Sequence, residues 1–176
     1  MGKQYSAISK ENVDFIGAQK MFFLASSSGK EVSLSPKGYD CFRVLDERTA
    51  LYMDYPGSGN RLARDISEGG EVTVMFCSFA GEPKTLRLFC DGELVEKADQ
   101  RFGGLMSGHF GNADPETVRR LALLKVYSVE VSCGESVPLF DYIGDRDRLR
   151  DWAVKMSSEG KLSAYMESHA VPKRLR

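Results

Sequence analysis

Cysteine, histidine and tryptophan are scarce in this chain of 176 residues: four, two and one, respectively. The cysteines, Cys41, Cys77, Cys90 and Cys133, are widely scattered. No two of them stand in a C-x-x-C arrangement, so neither a zinc site nor a redox dithiol is signalled. Cys77 and Cys90 fall in apolar, strand-like runs, where a reduced cysteine behaves as a small core residue. His109 and His169 sit near no G-x-S-x-G elbow, and the dispersed acidic residues have no metal-ligand spacing. His109, in MSGHFGN, reads as a loop residue rather than a base. Charge of one sign is also lacking. Lysine and arginine number 24 against 25 acidic residues, a net charge of −1, whereas nucleic-acid binders usually carry a basic excess. No apolar run approaches the ~20 residues that a membrane helix needs. The opening MGKQYSAISKENVD has no apolar segment of the kind a secretory signal requires. These absences lead to an expected cytoplasmic protein with no metal, nucleic-acid or membrane partner.

What is present is an ordinary soluble composition, 42% apolar and 28% charged, in a length suited to a single domain over residues 1–176. ENVDFIGAQK has a weak helical period. MFFLASSSGKEVSLS reads as a hairpin turning at Ser28-Gly29, and CFRVLDERTALYMDY repeats the pattern around DERT. NRLARDISEGG predicts a short helix with Asn60 as N-cap and Gly69 as stop. EVTVMFCSF and TLRLFCDGELVEK are the longest strands, which gives about six before residue 98, linked mostly as hairpins. Asp114 and Pro115 in ADPETVRRLALLK form a helix-start signal. The alternating VYSVEVSC is expected to close a barrel as its last strand. From about residue 145, Leu149, Trp152, Ala153 and Met156 recur at helical spacing, so a helical C-terminal extension follows. The fold class is therefore mainly β, α+β, an antiparallel barrel with peripheral helices.

Two glycine-containing loops are the candidates for chemistry. In PGSGNRLARDI, Gly57 and Gly59 bracket Ser58 ahead of Asn60, so the backbone can approach an oxyanion closely. Arg61 and Arg64 follow three apart and reach the same side of the helix. In LSPKG, Lys37 is held between Pro36 and Gly38. Arg87 is unusual among Leu86, Leu88 and Phe89. Taken alone, each cation reads as a solvated surface charge; together they indicate an anionic ligand in a β-barrel.

The succession FFLASSSGKEVSLSPKGYDCFRVLD, LYMDYPGSGNRLARDI, VTVMFCSF and TLRLFCDGELV, followed by PLFDYIGDRD, resembles the pyridoxamine 5′-phosphate oxidase-related, FMN-binding split-barrel family over about residues 12 to 155. The resemblance implies a six-stranded antiparallel split barrel and a homodimer with FMN at the subunit interface. It places Ser35, Lys37 and Gly38 at the flavin, and Ser58, Gly59, Asn60 and Arg61 at its phosphate. The oxidase's second basic residue there falls on Leu62, with Arg64 one turn on. The oxidase's central-strand glutamine falls on Arg87, where positive charge would stabilise an anionic reduced flavin. An arginine that opens the oxidase's first binding strand falls near Val32, a departure that weakens the phosphate site.

The implied function is an FMN-dependent oxidoreductase acting on an unidentified small molecule, with no catalytic residue assigned. The alternative is a non-catalytic flavin carrier or redox sensor, and a third reading gives the barrel haem or a deazaflavin. Efficient pyridoxamine 5′-phosphate oxidation is not expected. The oxidase's late arginine–histidine pair, two positions apart, finds only Arg148-Leu149-Arg150 here. On a helix such residues point about 200° apart, and both arginines are expected to be solvated flanks.

Overall fold

The computed structural model describes residues 2–172. Eight strands form one antiparallel sheet: β1 (Lys3–Tyr5), β2 (Phe22–Ser27), β3 (Val32–Lys37), β4 (Phe42–Asp46), β5 (Thr49–Asp54), β6 (Glu71–Cys77), β7 (Thr85–Glu96) and β8 (Arg120–Ser132). The strand order is β3-β2-β6-β7-β8-β5-β4, with β1 added on β8. The expected strands before residue 98 are all present, and β1 and β8 raise the count from six to eight. The sheet order ends at β3 and β4, so it is not closed. β8 does not close a barrel. It runs through the middle, pairing with β7 along its whole length and with β5 over its first half.

Period-2 alternation sorts the side chains into two faces. The register Lys37–Phe22–Phe76–Leu86 runs across β3, β2, β6 and β7 on the inner face, as does Ser35–Leu24–Val74–Leu88. Phe22, Phe42 and Phe76 meet there, with ring centroids 5.2–5.4 Å apart. The outer face carries Phe23, Met75 and Arg87 in one row and Ala25, Thr73 and Phe89 in the next. At its edge on β3, Val32 is 75% and Leu34 65% exposed.

Helix α1 (Lys10–Ala18) begins at Ser9, whose hydroxyl accepts from the Asn12 N–H. Helix α2 (Arg61–Ser67) follows β5 and packs against β2, β6 and β7. Its stop uses glycine twice. Gly69 has φ +74°, and a Cβ on Gly70 would lie 2.4 Å from the Ser27 carbonyl oxygen, so only glycine fits.

Two expectations fail in the second half. Residues Arg101–His109 form helix α3, so His109 ends a helix instead of lying in a loop. The Asp114-Pro115 start signal yields only a 3₁₀ turn, Pro115–Thr117, with the Asp114 carboxylate accepting from the Glu116 N–H. The chain then enters β8, because Leu121, Ala122 and Leu124 are buried between β7 and β5. Sheet pairing on both sides overrides the helical signal. The C-terminal extension is helical as expected, with α4 (Arg148–Ser158) and α5 (Leu162–Ser168). Ala153 is fully buried on its inner stripe. Among the described residues no helix is long and apolar enough to cross a membrane.

Candidate functional site

The loop Pro56–Asn60 leaves β5 and enters α2, and its shape is set from beneath by the start of β8. Asp54 pairs with Arg120 in the β5–β8 ladder, and the Arg119 N–H donates to the Asp54 carbonyl. This brings the Arg119 guanidinium under the loop, where it donates to the carbonyl oxygens of Gly59 (2.9 Å) and Gly57 (2.5 Å). No peptide bond here is cis. In a trans peptide the N–H points opposite to the carbonyl of the preceding residue. The N–H groups of Ser58 and Asn60 are therefore turned away from Arg119, toward the open side of the loop. A Cβ at Gly57 or Gly59 would meet no atom within 4 Å, so the loop is open beside both glycines. The two outward amides belong to alternate residues, and both offer their hydrogens on that side.

The Asn60 side chain has a different task. It is 4% exposed, its carbonyl oxygen accepts from Arg120, and its amide donates to the carbonyl of Ala170. It holds the position of an N-cap without making a side-chain cap bond. Arg120 also pairs with Glu96 at 2.8 Å. Arg119 and Arg120 are thus functional supports that sequence reasoning missed. The only visible signal was an Arg-Arg pair immediately ahead of an apolar run.

The two helical arginines are spent unequally. Arg64 is clamped between Glu31 and Asp65, with its side chain 8% exposed. Asp65 is completely buried and also accepts from the Ser26 hydroxyl at 2.7 Å. Arg64 therefore fastens α2 to the β2–β3 hairpin. Arg61 is more open, 37% exposed, with its Nε 3.7 Å from Glu31, too far for a hydrogen bond. That Nε is buried and has no hydrogen-bond acceptor among the described residues.

Ser35 and Lys37 lie on the inner face of β3. The Lys37 ammonium is 5.7 Å from the centre of the Tyr52 ring, at the end of the strand near Asp54. Glu31, just ahead of β3, reaches Arg61 and Arg64. Asp54 is buried, and desolvation raises its carboxyl above the ordinary value despite the opposing pull of Lys37, Arg119 and Arg120. Gly38 follows at the strand end, its carbonyl accepting from the Cys41 thiol. Ser35 and Lys37 thus face the side of the sheet on which α2 packs.

Arg87 does not share that face. Its register opposite Met75 and Glu130 puts it on the outer face, paired with Glu130 at 2.7 Å. Val32, near which the resemblance sets the oxidase's arginine, also faces outward, opposite Ser27. On α4, Arg148 is exposed but Arg150 is not a solvated flank. It is half-buried, with its guanidinium carbon 3.9 Å over the Tyr39 ring. The two arginines do point apart, as the helical reading requires.

An open antiparallel sheet with a glycine loop leading into a short helix defines the split-barrel class of cofactor-binding folds. Residues 8–137 match the family described as pyridoxamine 5′-phosphate oxidase, and the chain belongs to that family. It is 33% identical over 177 positions to the pyridoxamine 5′-phosphate oxidase family protein ustO of Aspergillus flavus, covering 92% of this chain and 71% of that one. Among solved structures, it resembles a candidate pyridoxamine 5′-phosphate oxidase of Lactobacillus delbrueckii (TM-score 0.56, 14% identity). That match covers 71% of this chain and 94% of the other. It also resembles HupZ of Group A Streptococcus (TM-score 0.54, 17% identity, 68% and 89% covered). At these identities the structural likeness concerns the fold.

Proposed function

We propose that the protein binds FMN, with the phosphate on the outward N–H groups of Ser58 and Asn60 and on the Arg61 guanidinium. The observation that carries this is Arg119, which draws the Gly57 and Gly59 carbonyls inward and so turns the N–H group that follows each of them outward. The Arg61 side chain, 37% exposed, would supply positive charge to the phosphate. Ser35 and Lys37, on the inner face of β3, would contact the remainder of the flavin. Asn60 contributes through its backbone and by stiffening the loop, its side chain being engaged with Arg120 and Ala170.

Bound flavin would supply hydride or single-electron transfer. The residues of this chain would bind and orient it, with Lys37 holding positive charge at the end of β3. The reading is a flavin-dependent oxidoreductase acting on an unidentified small molecule. It is not an efficient pyridoxamine 5′-phosphate oxidase, since Arg148 and Arg150 diverge on α4. The working unit is a homodimer built on the outer sheet face, where Phe23, Met75, Phe89, Val32 and Leu34 make an apolar surface that closed twofold pairing would cover. Arg87 lies on that face, so it would approach a flavin only across the dimer contact.

The test is the visible spectrum of the purified protein, with the released chromophore identified chromatographically as FMN or FAD. A yellow protein that loses its flavin on Arg61→Glu supports the assignment, because the change sets a carboxylate beside a dianion. Full flavin occupancy in that variant would refute the phosphate site. Sedimentation of the flavin-loaded protein as a monomer at micromolar concentration would refute the dimer.

A further inference from the structure

A cavity of about 490 Å³ lies between β4–β5, the end of α3 and the start of α4. Its volume falls in the range of small-molecule sites. Met53, Tyr55, Phe110 and Val154 give it apolar and aromatic walls. Its charged groups are in different states. Arg43 is fully engaged: it grips Asp40 with two nitrogens (2.5 and 2.6 Å), donates to the carbonyls of Phe42 and His109, and lies 4.9 Å from the centre of the Phe110 ring. This pairing holds the Asp40 carboxyl below its ordinary value. Asp114 is occupied capping the 3₁₀ turn. Arg150 differs from both. Its planar face is covered by Tyr39 and it interacts with the Tyr55 hydroxyl, yet among the described residues it forms no ion pair. Tyr39 itself is fixed by donating to the Arg146 carbonyl, so the guanidinium is held in place rather than swinging in solvent.

We propose that this cavity binds a small aromatic carboxylate, anchored through Arg150. A guanidinium whose face is stacked still offers its edge N–H groups, and these match the two oxygens of a carboxylate. The ring of the ligand lies between the apolar walls. A monoanion fits better than a phosphate dianion. Among the described residues one arginine lining the space, Arg150, forms no ion pair, and the carboxylates of Asp40, whose ionised form Arg150 also favours, and Asp114 stand on its rim. The aromatic lining and the single charge therefore select the same class of ligand. This inference does not depend on the flavin reading, because the residues that carry it are separate from the Pro56–Asn60 loop and β3.

The experiment is isothermal titration of the purified full-length protein with three probes sharing one ring system: 2-naphthoate, 2-naphthylmethanol and 2-naphthyl phosphate. One saturable site for naphthoate is expected, with the neutral alcohol weaker by roughly tenfold or more, the scale of a charge-assisted hydrogen bond. Arg150→Met should weaken naphthoate by a similar factor and Arg150→Lys by less, whereas Arg148→Met should leave it unchanged. Val154→Trp, at an exposed helical position, should fill the cavity and abolish binding without altering the melting temperature, and it carries the test if Arg150→Met does not fold. Absence of binding, equal affinity for the alcohol, indifference to Arg150→Met and Val154→Trp, or tighter binding of the phosphate would each overturn the proposal.

Discussion

Arg64 and Arg150 are both helical arginines that read as surface charges in the sequence, and the structure uses them in opposite ways. Arg64 is enclosed between Glu31 and the fully buried Asp65, so its charge belongs to the fold. Arg150 is stacked on Tyr39 and lines a cavity without an ion pair among the described residues. The number of cations near a candidate site therefore says little about how much positive charge is available to a ligand. What decides availability is whether a carboxylate from another element arrives first. By this measure Arg61 stands between the two.

The largest expected effect is at the enclosed side. Arg64→Met should cost about 3–5 kcal/mol, because it strands the buried Asp65 carboxylate without its partner; urea denaturation would measure it. A loss below about 1 kcal/mol would place Arg64 among solvated surface pairs. Arg119→Met comes next. Removing two charged hydrogen bonds to the loop carbonyls should cost about 1.5–3 kcal/mol and lower flavin retention, read as stability and chromophore content on the same sample.

Asp54 adds a dependence on pH. Its folded-state carboxyl is raised above the ordinary 3.8 by desolvation, so over that range the folded state holds a proton that the unfolded state has released. Stability from this group is present at pH below 3.8 and declines as pH rises through the folded value. Asp54→Asn cannot ionise, so its melting temperature should gain on that of the parent protein as pH rises above 3.8. A gap that narrows instead would mean that Lys37 and Arg119 dominate over burial.

At the open side the effects are small. Arg150→Met should change stability by only about 0.5–1 kcal/mol, the worth of one cation–aromatic contact near the surface, whatever it does to ligand binding. Smallest is a difference in thiol reactivity. Burial pushes Cys41 and Cys90 up to about 12, and raises Cys77 as well, while Cys133 is exposed. A thiol reagent at neutral pH should modify one cysteine in the native protein and four after denaturation.

The hairpins were legible because each carries local information. Ser28-Gly29 and Glu47-Arg48 sit between strands whose apolar residues alternate, and Gly69 ends α2 at a positive φ. The loop was legible for the same reason, since Gly57 to Asn60 precede a helical run. Residues 114–124 were not. Asp114 and Pro115 promise a helix, and nothing nearby shows that β5 and β7 will flank Leu121 and Leu124. Helix α3 escaped notice because GGLMSGH is rich in glycine, a poor helix former, and only the burial of Phe102 and Met106 makes it favourable.

By itself the sequence determined the hairpin order, the glycine loop ahead of α2, the helical C-terminal extension and the membership of a family, because these follow from turn chemistry, periodicity and the succession of motifs. Tertiary structure alone decided the rest. It made β8 the link between the two halves of the sheet, put Arg87 on the face away from Lys37, and set Arg119 under the loop to turn its amides outward. It also committed Arg64 to Asp65 while leaving Arg150 without an ion pair among the described residues. Each of these depends on which residues distant in the chain come within hydrogen-bond or ion-pair reach, and local patterns contain no information about such distances.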